Sequence, residues 1–244
     1  MTKFFRTIRQ NIVMQNKINK PAIPAARYLK YAIGEIILVV IGILIALQIN
    51  TWNEARKTNL FEREILNLID KNLEIDSVSI AKELHKTEEA ISLTERLLQK
   101  VAQKEYSDSL NNWMGKIISF ERFKSQSSAF EVLKAKGIEN ISNKALQLKL
   151  ISYYDESLFK LYQSLNDVLV SFNNDWVPVI KSDFSDFKWR AYCIPTDSKI
   201  FFKKPSSIIL FKLYKDNRAG ELHNMKSTLI KLSEIRTLIK KDLK

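Results

Sequence analysis

The sequence predicts an all-α fold made of a short basic arm, one transmembrane helix and an extracytoplasmic helical bundle. Three observations lead to this prediction. Glycine and proline occur only five times each in 244 residues, and their scarcity favours long helices over many short strands. An unbroken apolar run covers Ile36 to Leu47. Beyond it, apolar side chains recur at steps of three and four residues, which is the period of an amphipathic helix.

The predicted transmembrane helix covers residues 28–50. Residues 31–49 are apolar apart from Glu35 and Gln48, and a hydrocarbon core about 30 Å thick needs about 20 helical residues. A cleaved signal peptide is the competing interpretation, but such a peptide has a shorter apolar region that ends at a small-x-small site. The stretch from Ala46 to Trp52 offers no such site. We therefore expect the segment to stay as an anchor.

The charge on either side of this helix predicts its orientation. Residues 1–34 carry seven lysines and arginines without an acidic residue, whereas residues 51–70 carry three basic and four acidic side chains. The positive-inside rule then places the N-terminus in the cytoplasm and residues 51–244 on the far side of the membrane. Tyr28, Tyr31 and Trp52 fall where membrane-interface aromatic residues belong.

The arm, residues 1–27, combines apolar and basic side chains at helical spacing. Lys3, Arg6 and Arg9 are interleaved with phenylalanine and isoleucine residues. This pattern suits a short helix on the inner leaflet, with these three cations in contact with anionic head groups. The lipid bilayer is thus an expected partner. Nucleic-acid binding is the weaker alternative because the charges are so few, and we expect none.

Glu35 is the one ionisable residue well inside the predicted membrane helix, and such a residue is a functional hypothesis by default. Steps of three and four from it lead to Gly42 and Ala46, a small-xxx-small pair that lets another helix approach closely. One interpretation is that this face packs against a second copy of the chain, forming a homo-oligomer, or against a membrane-protein partner, with Glu35 hydrogen-bonded across the contact. The other is that Glu35 lies about one turn inside the boundary and extends to the head groups. The sequence leaves both open.

The membrane helix is expected to continue as one long helix to about Val101. No glycine interrupts residues 43–114, and no proline interrupts residues 25–177. The apolar stripe of this helix is interrupted, which favours a helix of a bundle over a strict coiled coil. Its members are Leu66, Ile69, Leu73, Ile80, Leu84, Ile91, Leu98 and Val101, with Asp76, Thr87 and Thr94 as polar exceptions.

Start and stop signals predict the helices that follow. Ser128 and Glu131 fit a capping box, in which hydroxyl and carboxylate satisfy the free amides of a helix start. Gly137 fits a C-terminal stop. A second start near Ser142 and Asn143 leads into a long helix that reaches Val168.

The remaining segments have weaker patterns. Residues 107–118 form a short periodic run. Residues 173–205 are expected to be irregular, with short extended pieces in their aromatic part. Two final helices are predicted at residues 206–217 and 221–243 because Gly220 falls between them.

The strongest resemblance to a known family lies in residues 31–54, which have the sequence YAIGEIILVVIGILIALQINTWNE. They resemble the signature of a family of single-span membrane proteins from the Bacteroidetes group of Gram-negative bacteria, the domain-of-unknown-function family six thousand and ninety. Residues 3–10 and 128–154 are also similar to that family. Thr51 departs from the asparagine expected there, and residues 173–205 match no known pattern. The resemblance implies an inner-membrane anchor with a periplasmic helical domain, and no established activity.

Residues suited to catalysis or metal binding do not converge in the sequence. His85 and His223 are far apart and lack metal-ligand spacing, and no Gly-rich phosphate loop or nucleophile elbow is present. Cys193 is the only cysteine, so it can form no intramolecular disulfide and most simply fills an apolar space. We therefore expect no enzymatic activity, no cofactor and no metal.

Two classes of function then remain. The leading hypothesis is a membrane-anchored interaction or scaffold protein of the cell envelope, whose specific role the sequence does not name. The alternative is a ligand-sensing periplasmic domain. Such a domain would have to signal through a membrane partner, because about 27 cytoplasmic residues cannot hold a catalytic output domain.

Overall fold

The computed structural model describes residues 24–243, with side chains from residue 28 onward. The predicted contacts of Lys3, Arg6 and Arg9 with the inner leaflet therefore lie outside the described residues. The described chain is helical except for one hairpin and the connecting turns, which confirms the all-α class.

The first helix, α1, runs from Pro24 to Ala102. It begins at a proline, whose missing amide proton costs nothing in the first turn of a helix. Its end confirms the expectation of a long helix that reaches about Val101. The chain divides into two compact units, Met1–Lys57 and Thr58–Lys244, and α1 contributes residues to both.

The second unit is completed by shorter helices and one antiparallel hairpin. A π-helical turn, Ser152–Ser157, joins α4 to α5, and another, Phe172–Trp176, joins α5 to α6. The other elements are α2 (Ser109–Ile117), α3 (Ser128–Lys136), a 3-10 turn (Ile138–Asn140), α4 (Lys144–Ile151), α5 (Leu158–Ser171), α6 (Val177–Asp183), β1 (Phe184–Lys188), β2 (Tyr192–Pro195), α7 (Ser198–Lys203) and α8 (Pro205–Asp242).

Three long helical runs form the core of this unit. The part of α1 beyond residue 58 and the α4–α6 run both pass from a first apolar cluster, around Leu66 and Leu150, to a second, around Leu97 and Val168. Helix α8 contributes its C-terminal half to the first cluster and its N-terminal half to the second. It is therefore antiparallel to the other two runs. Side chains of α1 face a bundle, as predicted, and not a two-stranded coiled coil.

Local sequence patterns predict one helix start correctly and another incorrectly. Asn143 caps α4 as predicted, since its side-chain oxygen accepts a hydrogen bond from the Leu146 amide at 3.2 Å. The capping box at Ser128 and Glu131 is wrong. Helix α3 follows Ser127 without a side-chain cap, and its first turn is closed by the Glu131 amide donating to the Ser127 carbonyl at 2.9 Å.

The predicted division of the last helix is also wrong, because α8 is unbroken from Pro205 to Asp242. A glycine inside a helix costs only about 1 kcal/mol relative to alanine. Arg218, Glu221 and Met225 are buried on either side of Gly220. Their packing offsets the small cost, so the helix continues through the glycine.

Residues 173–205 are regular instead of irregular, and the expected extended pieces form a hairpin. Strands β1 and β2 pair antiparallel, with Phe187 opposite Cys193. Cys193 is fully buried, as expected of an apolar filler, and burial raises the pKa of its thiol to about 12. Phe201 and Phe202 of α7 pack into the second apolar cluster. The aromatic residues of this segment are thus core residues.

Helix α2 lies directly against β2 at Gly115. A Cβ atom added there would stand 2.4 Å from the Tyr192 amide nitrogen and 2.6 Å from the Ala191 carbonyl carbon. Both contacts are with backbone, which cannot rotate away as a side chain can. Only glycine therefore permits this approach of the helix to the strand.

We predict that Gly115→Ala lowers the free energy of unfolding by about 1–3 kcal/mol, the usual cost of overpacking a core. The control is Gly220→Ala, where a Cβ meets nothing within 4 Å. That change should raise the free energy of unfolding by about 0.5–1 kcal/mol, since alanine is the better helix former. Urea unfolding of the full chain measures both. Equal effects of the two substitutions would contradict the close approach of α2 to β2.

Candidate functional site

The apolar segment of α1 has no packing partner among the described residues of the chain. None of its most apolar window is buried, and the helix is long and apolar enough to cross a membrane. Ile36, Leu44 and Leu47 each expose more than half of their surface. A contiguous apolar surface of this extent needs lipid or another helix to cover it.

The predicted packing face lies on this segment. Glu35, Gly42 and Ala46 are all exposed, and a Cβ added at Gly42 meets nothing within 4 Å. Their spacing of seven and four residues places them on one side of a helix. The described part of the chain thus leaves this side open for the close approach of another backbone.

The predicted interface aromatic residues are exposed on the same helix. Tyr28, Tyr31 and Trp52 have relative exposures of 78%, 42% and 64%. The Arg56 guanidinium lies 6.0 Å from the centre of the Trp52 ring. An amphipathic ring beside a cation is suited to a head-group region, where apolar and polar surroundings meet.

A second site, which the sequence analysis did not identify, is buried between α1 and α8. Glu83 and Thr87 of α1 meet Arg218 and Glu221 of α8, and we call these four residues the charge cluster. Arg218 and Glu221 are 2% and 0% exposed. Charged side chains are almost never buried to this degree unless they are paired. The cluster lies between the two large apolar clusters, where only Ile80, Leu161 and Met225 form a small apolar group.

The charges in the cluster are incompletely matched. Arg218 Nη1 lies 2.9 Å from Glu221 Oε2, an ion pair within one turn of α8. Glu83 Oε1 accepts a hydrogen bond from the Glu121 amide at 3.0 Å, and Glu83 Oε2 lies 3.6 Å from Lys86 Nζ. Both oxygens of Glu221 and the Nε of Arg218 have no hydrogen-bond partner within the described chain. Two buried carboxylates therefore lie close enough to repel each other, and the buried guanidinium pairs with only one of them.

This environment shifts the pKa of Glu221. Burial raises the pKa to about 7, since a carboxylate loses its hydration in the interior; Arg218 opposes the rise and Glu83 adds to it. The Thr87 hydroxyl also faces the Glu221 carboxylate, although the geometry falls short of a hydrogen bond. The charge cluster thus holds a carboxyl group that changes its protonation state near neutral pH.

Asp76 forms a separate buried polar site about two helical turns away along α1. Its carboxylate accepts hydrogen bonds from the Ser125 hydroxyl, the Gln126 amide at 2.8 Å and the Tyr153 hydroxyl at 3.0 Å. Burial and the Asp76 charge raise the pKa of Tyr153. These bonds fasten residues 125–126 and the first π-helical turn to α1. The site is fully paired, so its role is structural.

The spacing of residues in the sequence indicates part of these two buried polar sites. Asp76 and Thr87 had been recognised as polar members of the α1 stripe, and both are buried. Glu83 continues the same stripe between them but was not singled out. Arg218 and Glu221 likewise fall on the buried stripe of α8, which recurs at steps of three and four residues, so the spacing of the apolar side chains around them is the signal that could have found them.

The other candidates are separated and exposed. His85 and His223 lie on the surface of α1 and α8. Among the described residues, no group of three or more His, Cys, Asp or Glu side chains is arranged to hold a metal ion.

Residues 35–174 match the model of a family described as Family of unknown function (DUF6090). The chain belongs to this family. The match confirms the resemblance noted from the sequence, and the region covers the packing face of α1 and the α1 side of the charge cluster. The DUF6090 region ends before α8, so Arg218 and Glu221 lie outside it. Neither the curated proteins nor the solved structures contain a significant match to the chain.

We predict that Arg218→Met lowers the free energy of unfolding by about 3–5 kcal/mol, because it leaves the buried Glu221 carboxylate without its cation. Adding Glu221→Leu should restore most of the loss, because a neutral side chain needs no cation in the interior. Urea unfolding of the full chain measures both. The control is the exposed pair of Lys215 and Glu95, 3.3 Å apart, where Lys215→Met should cost at most about 1 kcal/mol. A double variant no more stable than Arg218→Met would contradict this account.

Proposed function

We propose that the chain is a membrane-anchored interaction or scaffold protein of the cell envelope, with a binding and not a catalytic role. The observation that carries this proposal is the exposed apolar segment of α1 with its small-residue side. Such a segment can bury its surface only against lipid and other membrane helices. Substrate turnover by the purified chain would contradict the proposal.

The location proposed is the inner membrane, with the N-terminus in the cytoplasm and the helical domain in the periplasm. The excess of lysine and arginine before α1's apolar segment supports this orientation through the positive-inside rule. In this orientation the basic arm, with Lys3, Arg6 and Arg9, contacts the inner leaflet.

Within the membrane, the side formed by Glu35, Gly42 and Ala46 is the proposed contact with a second copy of the chain or with the helix of a membrane partner. The absence of a side chain at Gly42 supports close packing of the two backbones. Glu35 then either hydrogen-bonds across the contact or extends to the head groups. The two roles differ in whether Glu35→Ala weakens association.

We predict that Gly42→Leu lowers the yield of crosslinked homo-oligomer or stoichiometric complex in native membranes several-fold, because leucine holds the backbones apart. Gly34→Leu is the matched control, since position 34 points about 100° away from Glu35 on the helix and is equally open. It should leave the yield unchanged. If Glu35→Ala and Gly42→Leu both leave the crosslinked species unaltered, this side of the helix is not a packing surface.

A sensing domain that signals through a membrane partner is the second candidate. The charge cluster favours it, because a buried and incompletely matched site is unusual in a purely structural core. Under this view a small molecule from the envelope raises the melting temperature of the purified chain, since selective binding to the folded state stabilises it. A screen of envelope metabolites by thermal shift distinguishes the two candidates; a scaffold shows no such response.

A further inference from the structure

The charge cluster has the composition of a proton-binding site. It places two carboxylates, Glu83 and Glu221, and one guanidinium, Arg218, in an interior that excludes water. A second ionised carboxylate in such a place is unfavourable, because repulsion between like charges is strong where the dielectric constant is low. A proton taken from solvent by Glu221 removes that repulsion, and Glu83 keeps its ion pair with Lys86.

The groups that face Glu221 come from each element packed around it. Its own helix contributes Arg218 and Tyr214, and α1 contributes Glu83 and Thr87. Helix α5 contributes Leu161 and Leu165 to this layer, and its buried Ser164 hydroxyl donates to the Leu161 carbonyl.

The loop after α2 reaches the cluster through Glu83. The Glu121 amide donates to the Glu83 carboxylate, and the Glu121 side chain pairs with Lys86 and Arg190 at the edge of the domain. Lys86 is thus divided between Glu83 and Glu121. The cation in contact with Glu221 is Arg218 alone among the described side chains.

We propose that Glu221 binds a proton reversibly and that its protonation state sets how tightly α8 packs against α1. As a neutral acid, Glu221 becomes a hydrogen-bond donor, and acceptor atoms without a partner, Glu83 Oε2 and Thr87 Oγ1, lie in the same cluster. As a carboxylate, Glu221 is repelled by the Glu83 carboxylate. Protonation therefore tightens the contact between the two helices, and loss of the proton loosens it. This inference does not depend on the proposed scaffold role.

The linkage between protonation and folding gives the direction in which stability changes with pH. Burial raises the pKa of Glu221 from its ordinary 4.5 to about 7. Between these values the folded chain holds a proton that the unfolded chain has released, so stability is greatest at the acidic end and is lost as pH rises through about 7. The difference of 2.5 pKa units corresponds to a fall in the folding equilibrium constant on the order of 10²-fold.

The test is urea unfolding of the full chain in detergent between pH 5.5 and 8.5. Tryptophan fluorescence reports on α8, because the Trp176 ring packs against Phe211 and Tyr214 with centroids 4.9 and 5.9 Å apart. The folding equilibrium constant should fall roughly 30-fold over this range, because the range begins about one pH unit above the ordinary pKa of 4.5. Glu221→Gln, which keeps the shape and cannot ionise, should remove most of the fall.

Two further variants separate this effect from general changes in charge. Glu234→Gln removes an exposed carboxylate of the same helix and should leave the pH profile parallel to that of the wild type. Glu83→Gln removes the charge that raises the pKa of Glu221 and should move the midpoint of the fall to lower pH. Parallel profiles for the wild type and Glu221→Gln would overturn the proposal.

An infrared measurement on the wild type keeps the proposal testable even if Glu221→Gln does not fold. A protonated buried carboxyl group has a C=O stretch that is resolved from ionised carboxylates. The band should be present at pH 6 and lost by pH 8.5. Its absence at pH 6, or its persistence unchanged at pH 8.5, would overturn the proposal.

Discussion

The contact between α1 and α8 depends on the pairing of the buried charged side chains in its middle layer. Apolar side chains above and below this layer supply most of the favourable burial, but they tolerate sliding of one helix along the other. The ion pair of Arg218 with Glu221, which lies near Glu83, does not tolerate such sliding. A shift of one turn would bury Arg218 among apolar side chains. Ion pairs at the rim, such as Asp70 with Arg236 at 2.7 Å, fit the same alignment. The buried charges thus select the register in which the apolar clusters close.

The two parts of α1 differ in how their apolar surface is covered. The first part of α1 is apolar on all sides, and its exposed side chains need lipid or membrane helices around them. The later part has one inward stripe and a polar outward side, because the rest of its domain covers the stripe. The backbone has the same conformation in both. The two parts differ in the surroundings that they require, and the pattern of their side chains indicates this difference.

Local sequence signals were reliable where a local interaction decides the outcome. The Asn143 cap depends on its own side chain and an amide three residues on, and the pattern predicted it. The capping box at Ser128 and the break at Gly220 failed for a common reason. In both cases packing of the neighbouring residues against the core outweighs a local preference of about 1 kcal/mol. The hairpin at residues 184–195 was recognised only as extended pieces, since its pairing depends on α2 lying against it at Gly115.

The sequence by itself determined the helical class, the length of α1, the apolar segment and the open side with Glu35, Gly42 and Ala46, because these follow from composition and from spacing along one helix. Only the tertiary structure decided which buried charges meet. The period of α8 places Arg218 and Glu221 on its inward side, but their contact with Glu83 and Thr87 results from the antiparallel docking of α8 against residues more than a hundred positions earlier. A periodic pattern reports the side of a helix that turns inward. It does not report what lies opposite, since that is set by contacts between distant parts of the chain.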